Sequence, residues 1–219
     1  MTTSADTVVA SMLASIGAAT SHATPYRHWF LRECLPAEAA TTINGLPFPA
    51  PALGGVSGKR EVHNATRKYF DAENMAHHPV CKAVNDAFQS PRLTARISSA
   101  FGTNLKGSYL RVEFAQDTDG FWLEPHTDLG VKVFTMLLYL STEPQHASLG
   151  TDIYDTSKKH VGTSPFESNG CMIFVPSDIT YHGFEKRPIT GVRKSVIINY
   201  VTNEWRAREQ LAFPEAPIA

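Results

Sequence analysis

The chain has 219 residues, long enough to bury a sizeable core in one domain. Its hydrophobic fraction is 42% and its charged fraction 19%, which excludes a disordered, solvating chain. Lys and Arg number 20 against 21 Asp and Glu, so no basic surplus points to nucleic acid or an anionic membrane.

No stretch approaches the roughly 18–20 apolar residues of a membrane span. Residues 1–20 are rich in Ala and Ser but lack the Lys or Arg that opens a secretion signal. Cys34, Cys81 and Cys171 are odd in number, widely spaced and outside any CxxC pair. These features predict a cytoplasmic protein with reduced thiols, in which the sequon Asn64-Ala65-Thr66 has no meaning.

Residues 1–219 read as a single domain. Its first part, 1–105, reads as a mostly helical lead and support. A weak helix is expected over 5–18. The run Leu46-Pro47-Phe48-Pro49-Ala50-Pro51, followed by Gly54-Gly55, is a loop, because proline and glycine keep it out of regular structure. Pro79 suits a first helical turn, and Val80, Ala83, Val84, Ala87 and Phe88 then recur at helical spacing. Ser90-Pro91 reads as the N-cap and first residue of the next helix. Leu93, Ile97, Ala100 and Phe101 form its stripe, and Gly102 stops it.

From Ser108 the pattern changes to short β-rich runs over 108–114, 121–127, 131–140, 149–154, 171–175, 179–184 and 192–201. Turn clusters such as Asp117-Thr118-Asp119-Gly120 and Pro176-Ser177-Asp178 separate them. The expected fold is α+β, mainly β: a double-stranded β-helix (jelly roll) over 106–202 with helices packed on one sheet. Residues 142–168 are polar enough to suggest a lid loop. A short helix over 203–211 and a tail to 219 end the chain.

His126-Thr127-Asp128 carries the chemistry. In a strand, residues i and i+2 point to the same face, so an imidazole and a carboxylate at this spacing grip one metal ion. It is the only H-x-D in the chain, and no H-x-E exists. A second histidine completes a 2-His-1-carboxylate triad, the set that suits non-haem Fe(II) and leaves positions open for a 2-oxo acid and O2. His146 and His160 fall in polar segments, His77 and His78 precede Pro79 at a helix start, and His22, His28 and His63 lie in the lead. His182, inside a β-like run, is the best candidate by context.

Arg193 lies 11 residues beyond His182 and opens the run Arg193–Val201. Alternation puts Arg193, Ser195, Ile197 and Asn199 on one face. An inward arginine beside iron needs an anion, and the distal carboxylate of 2-oxoglutarate supplies one, with Ser195 as a second donor.

The segments FWLEPHTD (121–128), FTMLLYLS (134–141), LGTDIY (149–154), NGCMIFVPSDITYHGFE (169–185) and ITGVRKSVIINYV (189–201) together resemble the 2-oxoglutarate/Fe(II) dioxygenase superfamily, in its prolyl-hydroxylase-like branch of small bacterial type. The resemblance spans roughly 105–202. It implies Fe(II) bound by His126, Asp128 and His182, with 2-oxoglutarate and O2 as co-substrates. It also implies that Arg193 holds the distal carboxylate, aided by Ser195, with the Tyr139 hydroxyl nearby. Halogenases of the superfamily lack the carboxylate that Asp128 provides. Two departures stand out: Leu149-Gly150 replaces a Gly-Gly pair, and the loop before His126 is long, which weakens the placing of Tyr109 at the pocket.

The implied activity is hydroxylation of an unactivated C–H bond of a small molecule, with release of succinate and CO2. Arg111 and Glu113 alternate with Tyr109 on one strand face, where they either recognise a polar or zwitterionic substrate or form a solvent-facing ion pair. Phe121 and Trp122 line the entrance or pack in the core. Desaturation or epimerisation on the same scaffold is an alternative outcome. A cupin-like metal-binding protein without oxygenase activity (an isomerase or a sensor) or a non-catalytic interaction module are alternative classes. The full ligand set counts against the last, and Arg193 with Ser195 against the cupin. The oligomeric state is not legible.

Overall fold

The computed structural model describes residues 3–51, 58, 67–128 and 130–219. The Gly54-Gly55 pair, His63 and the 64–66 sequon lie outside these.

Among the described residues five helices form the support. In α1 (Ala5–Gly17), the Ser4 hydroxyl accepts from the Thr7 amide in a capping box, and Val8, Val9, Met12 and Ile16 give the buried stripe. α2 (Ala37–Asn44) and α3 (Ala72–His77) are short. α4 (Pro79–Gln89) and α5 (Pro91–Phe101) follow their expected starts, and the Ser90 hydroxyl accepts from the Leu93 amide. Gly102 ends α5 at φ 72°, a left-handed turn that a Cβ would strain.

The strands are β1 (Thr20–His22), β2 (His28–Leu31), β3 (Lys68–Tyr69), β4 (Tyr109–Asp117), β5 (Leu123–His126), β6 (Lys132–Tyr139), β7 (Asp152–Tyr154), β8 (His160–Thr163), β9 (Cys171–Phe174), β10 (His182–Phe184) and β11 (Arg193–Val201). They form a seven-stranded sheet, β1-β2-β9-β6-β11-β4-β3, and a four-stranded sheet, β5-β10-β7-β8. All recorded strand pairs are antiparallel.

The large sheet has two different faces. Phe134, Met136 and Leu138 of β6, Val196, Ile198 and Tyr200 of β11, and Leu110, Val112 and Phe114 of β4 join the helices in the main core. Their odd-numbered neighbours turn the other way. Leu137 and Tyr139, with Met172 and Phe174 of β9, meet Ile153, Phe166 and Phe184 from the side of the small sheet in a second cluster. The period of two thus buries both faces at once.

The structure corrects several expectations. The lead is not only helix and loop: His28–Leu31 forms β2 within the large sheet, paired with β9. Trp29 and Phe30 alternate faces as strand residues do, and the buried Trp29 ring packs on Phe101 at 4.9 Å. Residues 142–168 are not one loop, because they contain β7 and β8, which complete the small sheet. The helix expected over 203–211 is reduced to a single 3-10 turn at Arg208–Gln210, with Leu211 bridging to Arg111. Its polar residues have too few apolar partners at helical spacing to bury a stripe. Among the described residues no helix is long and apolar enough to cross a membrane.

Phe134 is fully buried, with the rings of Phe101 and Tyr200 each 5.8 Å away. Phe134→Ala is expected to lower the free energy of unfolding by about 3–5 kcal/mol. Urea denaturation should show the midpoint falling with little change in slope.

Candidate metal centre

β5 and β10 pair directly, and His126 faces His182 in their register. Gly183 makes the approach possible. A Cβ there would lie 2.6 Å from the Leu123 carbonyl oxygen and 3.1 Å from that of Glu124. The imidazole centroids are 4.3 Å apart. Asp128, just beyond β5, brings its carboxylate 4.0 Å from Nε2 of His126 and 3.8 Å from Nε2 of His182. One ligand atom from each of the three residues lies within 4.8 Å of the other two.

The donor set fits a divalent metal such as iron. Nδ1 of His126 bonds the Glu124 carbonyl at 2.9 Å, and Nδ1 of His182 bonds the Thr180 carbonyl at 3.0 Å. A carbonyl only accepts, so each Nδ1 carries the proton and each Nε2 keeps a lone pair for a metal. Burial, then the neighbouring His126, push the His182 pKa down to about 3, which keeps this ring neutral. Two imidazoles and one carboxylate suit Fe(II) and leave coordination positions open.

Asp128 is held from both sides. Lys132, at the start of β6, places Nζ 2.8 Å from Oδ1, and the Thr135 hydroxyl donates to Oδ2 at 3.0 Å. Asn199 of β11 donates to Thr135 at 3.0 Å and accepts from the Arg111 guanidinium at 3.2 Å. Of these supports, Arg111 and Asn199 were placed on strand faces from sequence without this role, and Lys132 and Thr135 were not singled out. The signal was present in Lys132, a charged residue opening an apolar strand four residues after Asp128.

His126, Asp128 and His182 line a cavity that encloses about 710 Å³ of space, part of it open to solvent, with Arg193, Ser195, Tyr139, Thr151 and Phe184 also in its wall. Arg193 is buried. Its Nε donates to the Leu149 carbonyl at 2.7 Å and Nη1 to Asp117 at 2.5 Å, while Nη2 has no hydrogen-bond partner among the described residues. The guanidinium lies 4.8 Å from the Phe184 centroid and 5.3 Å from that of Phe166. The Ser195 hydroxyl, on the same face two residues on, is also without a hydrogen bond among the described residues. Tyr139 differs: its hydroxyl donates to Thr151 at 2.9 Å and lies 2.5 Å from the Ser164 hydroxyl. Burial raises its pKa, against those two bonds and the Arg193 charge.

Asp117 is not a turn residue but the buried last position of β4, opposite Arg193. It also meets Nη1 of Arg67 at 2.8 Å. Arg67 reaches Glu113 at 3.3 Å, and Glu113 meets Arg111 at 2.6 Å. Charges therefore alternate along a buried row: Arg111, Glu113, Arg67, Asp117, Arg193. The pair Arg111 and Glu113 is inside the fold and not solvent-facing. Arg111 is fully buried, its guanidinium 4.8 Å from both the Tyr69 and Trp205 ring centroids. Tyr109 stands apart from the cavity, with Arg208 over its ring at 4.0 Å. Phe121 lines the cavity. His146 is buried and bonds the Thr190 carbonyl, while His160 is largely exposed beside Asp152.

Comparison with known proteins shows what this architecture is shared with. No protein-family model matches the sequence, and no curated protein matches it. Among solved structures, the fold is that of prolyl 4-hydroxylases and other 2-oxoglutarate/Fe(II) oxygenases. A prolyl 4-hydroxylase from Phytophthora capsici matches with a TM-score of 0.60 at 15% identity, over 94% of this chain and 68% of its own. A 2OG-Fe(II) oxygenase family protein from Burkholderia pseudomallei matches with a TM-score of 0.55 at 12% identity, over 90% of each chain. The non-heme α-ketoglutarate-dependent epimerase SnoN from nogalamycin biosynthesis matches with a TM-score of 0.51 at 13% identity, over 90% of this chain and 82% of its own.

Gly183→Ala is expected to push β5 away from β10 and weaken divalent-metal binding by about tenfold or more. Isothermal titration with Mn(II) would measure it, with circular dichroism checking that the fold persists. His182 also sets a pH dependence. Its folded-state pKa lies below the ordinary histidine value of about 6.5, so the unfolded chain takes the proton first. Stability of the metal-free protein should fall as pH drops through that value toward 3. Urea midpoints between pH 7 and 5 should slope less in His182→Gln than in the wild type.

Proposed function

We propose that the chain is a non-haem Fe(II) and 2-oxoglutarate-dependent oxygenase that hydroxylates an unactivated C–H bond of a small molecule. His126, Asp128 and His182 hold the iron. Bound iron and 2-oxoglutarate supply oxygen activation, coupled to loss of CO2 and formation of succinate. The observation that carries this reading is the convergence of the three ligand atoms in one cavity that also contains Arg193.

The charges of the buried row support the assignment of Arg193 to the co-substrate. Among the described residues three arginines alternate with two carboxylates, and Arg193, the last of them, faces the cavity with Nη2 unbonded by any described residue. A buried charge needs a partner. The distal carboxylate of 2-oxoglutarate matches it, accepting from Nη2 of Arg193 and from the Ser195 hydroxyl. Asp117 and the Leu149 carbonyl hold the guanidinium in position before the ligand arrives. Tyr139 serves this site as a wall and as the anchor of Thr151 and Ser164, with its hydroxyl close behind the carboxylate. Phe121, Leu137, Phe184 and Ile197 keep the remaining space apolar and limit water near the reacting C–H bond.

Anaerobic addition of 2-oxoglutarate to the Fe(II) protein should produce a weak visible charge-transfer band. Arg193→Ala should retain metal but bind 2-oxoglutarate at least about a hundredfold more weakly, as expected when one partner of a buried charge pair is removed. Unchanged 2-oxoglutarate affinity in that variant would contradict the role given to Arg193. Absence of the band in the wild type would favour the cupin-like alternative.

A further inference from the structure

We infer that Cys34 and Cys171 form a redox-active dithiol, which closes to a disulfide when the protein meets a peroxide and reopens with a small-molecule thiol.

The two cysteines are distant in sequence, and the pairing of β2 with β9 makes them neighbours. Leu31 of β2 stands opposite Cys171, the first residue of β9, and both turn to the helix side of the large sheet. Beyond Leu31 the chain gains a residue at Glu33, whose φ of 52° is left-handed. Cys34 therefore returns to the helix side and is fully buried in the same core as Cys171. Its amide donates to the Asn169 carbonyl at 3.0 Å. The Asn169 side chain accepts from the Leu35 amide at 2.9 Å and donates to the Leu35 carbonyl at 2.7 Å. These bonds strap 31–35 onto 169–171 and hold the thiols side by side.

The contact between them is direct. Burial, then a hydrogen bond with Cys34, raises the Cys171 thiol well above its ordinary range. The Cys34 sulfur also lies 3.6 Å from the Ser15 hydroxyl of α1. A groove beside α1, with Ser15, Leu31, Gly170 and Cys171 in its wall, is partly open to solvent and gives a small oxidant a route to the pair. The third cysteine, Cys81 of α4, is buried near Asp71, and burial pushes its thiol up to about 12.

The chemistry closes on itself. The Cys171 sulfur attacks one peroxide oxygen, the O–O bond breaks, and one water leaves with a sulfenic acid behind. The Cys34 sulfur attacks that sulfur and gives up its proton, and the sulfenic hydroxyl leaves as the second water. Two thiols and one peroxide become one disulfide and two waters. Burial keeps the thiolate scarce, so the step is slow and needs sustained oxidant. The linked segment also backs the cavity: the Asn169 amide donates to the Tyr139 carbonyl at 2.8 Å, and the Tyr139 amide to the Gly170 carbonyl at 2.9 Å. Oxidation thus staples the helical lead to the backbone behind one cavity wall.

The test exposes the full chain, loaded with redox-inert Zn(II), to excess hydrogen peroxide overnight. The mass should fall by two hydrogens. Digestion should give one linked peptide pair containing Cys34 and Cys171, with Cys81 still open to alkylation after unfolding. Dithiothreitol should restore all three thiols. The linked protein should melt about 5 °C or more above the reduced one, because the bond closes a long loop. Cys34→Ala should abolish the linkage, with circular dichroism checking the fold. Three intact thiols in the treated wild type overturn the inference without reference to any variant. Linkage through Cys81, or Cys171 carried on to sulfinic acid, also overturns it, since an adjacent thiol traps the sulfenic acid first.

Discussion

A buried charge in a low-dielectric interior must be matched, and the inner face of the large sheet is organised around that requirement. Strands β4, β6 and β11 turn alternate side chains to opposite sides. One side is apolar and closes on the helices. The other carries arginine, lysine, glutamate and aspartate into a cavity. Such a face is tolerable only because Arg111, Glu113, Arg67, Asp117 and Arg193 alternate in sign along neighbouring positions. His126, Asp128 and His182 sit at the edge of this row, where the small sheet meets the large one.

The same constraint gives the candidate centre its rigidity. Asp128 is fixed by an ammonium on one oxygen and a hydroxyl on the other, and the hydroxyl is fixed by Asn199, itself bonded to the buried Arg111. Each imidazole is oriented by a backbone carbonyl two residues before it. A metal site supported in this way loses little freedom on binding, because its outer contacts already hold the ligand rotamers. The helices contribute indirectly: by burying Phe134, Met136 and Leu138 they hold β6 in the register that places Thr135, Leu137 and Tyr139 along one wall, and a register shift at the start of the strand brings Lys132 to the same side.

Among the solved structures sharing the fold, one is a prolyl 4-hydroxylase and another an epimerase. The fold therefore leaves the reaction open, and the chemistry is read from the cavity wall. That wall sets Lys132 on the Asp128 carboxylate and Asp117 on Arg193.

The sequence by itself determined what depends on local geometry. Period two along 131–140 and 192–201 marked the strands and the shared face of Arg193 and Ser195, and Ser90, Pro91 and Gly102 marked helix ends, because neighbouring residues alone decide such patterns. The spacing of His126 and Asp128 was legible for the same reason. Other features required the folded chain. β1, β2 and β8 are short runs that no local pattern separates from loop, and they become strands only through partners elsewhere. Asp117 read as a turn residue until β11 placed Arg193 opposite it. Lys132 carried no expectation from the sequence, and only folding buried it against Asp128. Long-range pairing decided these, since a charge acquires its role from what lies across the cavity and not from what precedes it in the chain.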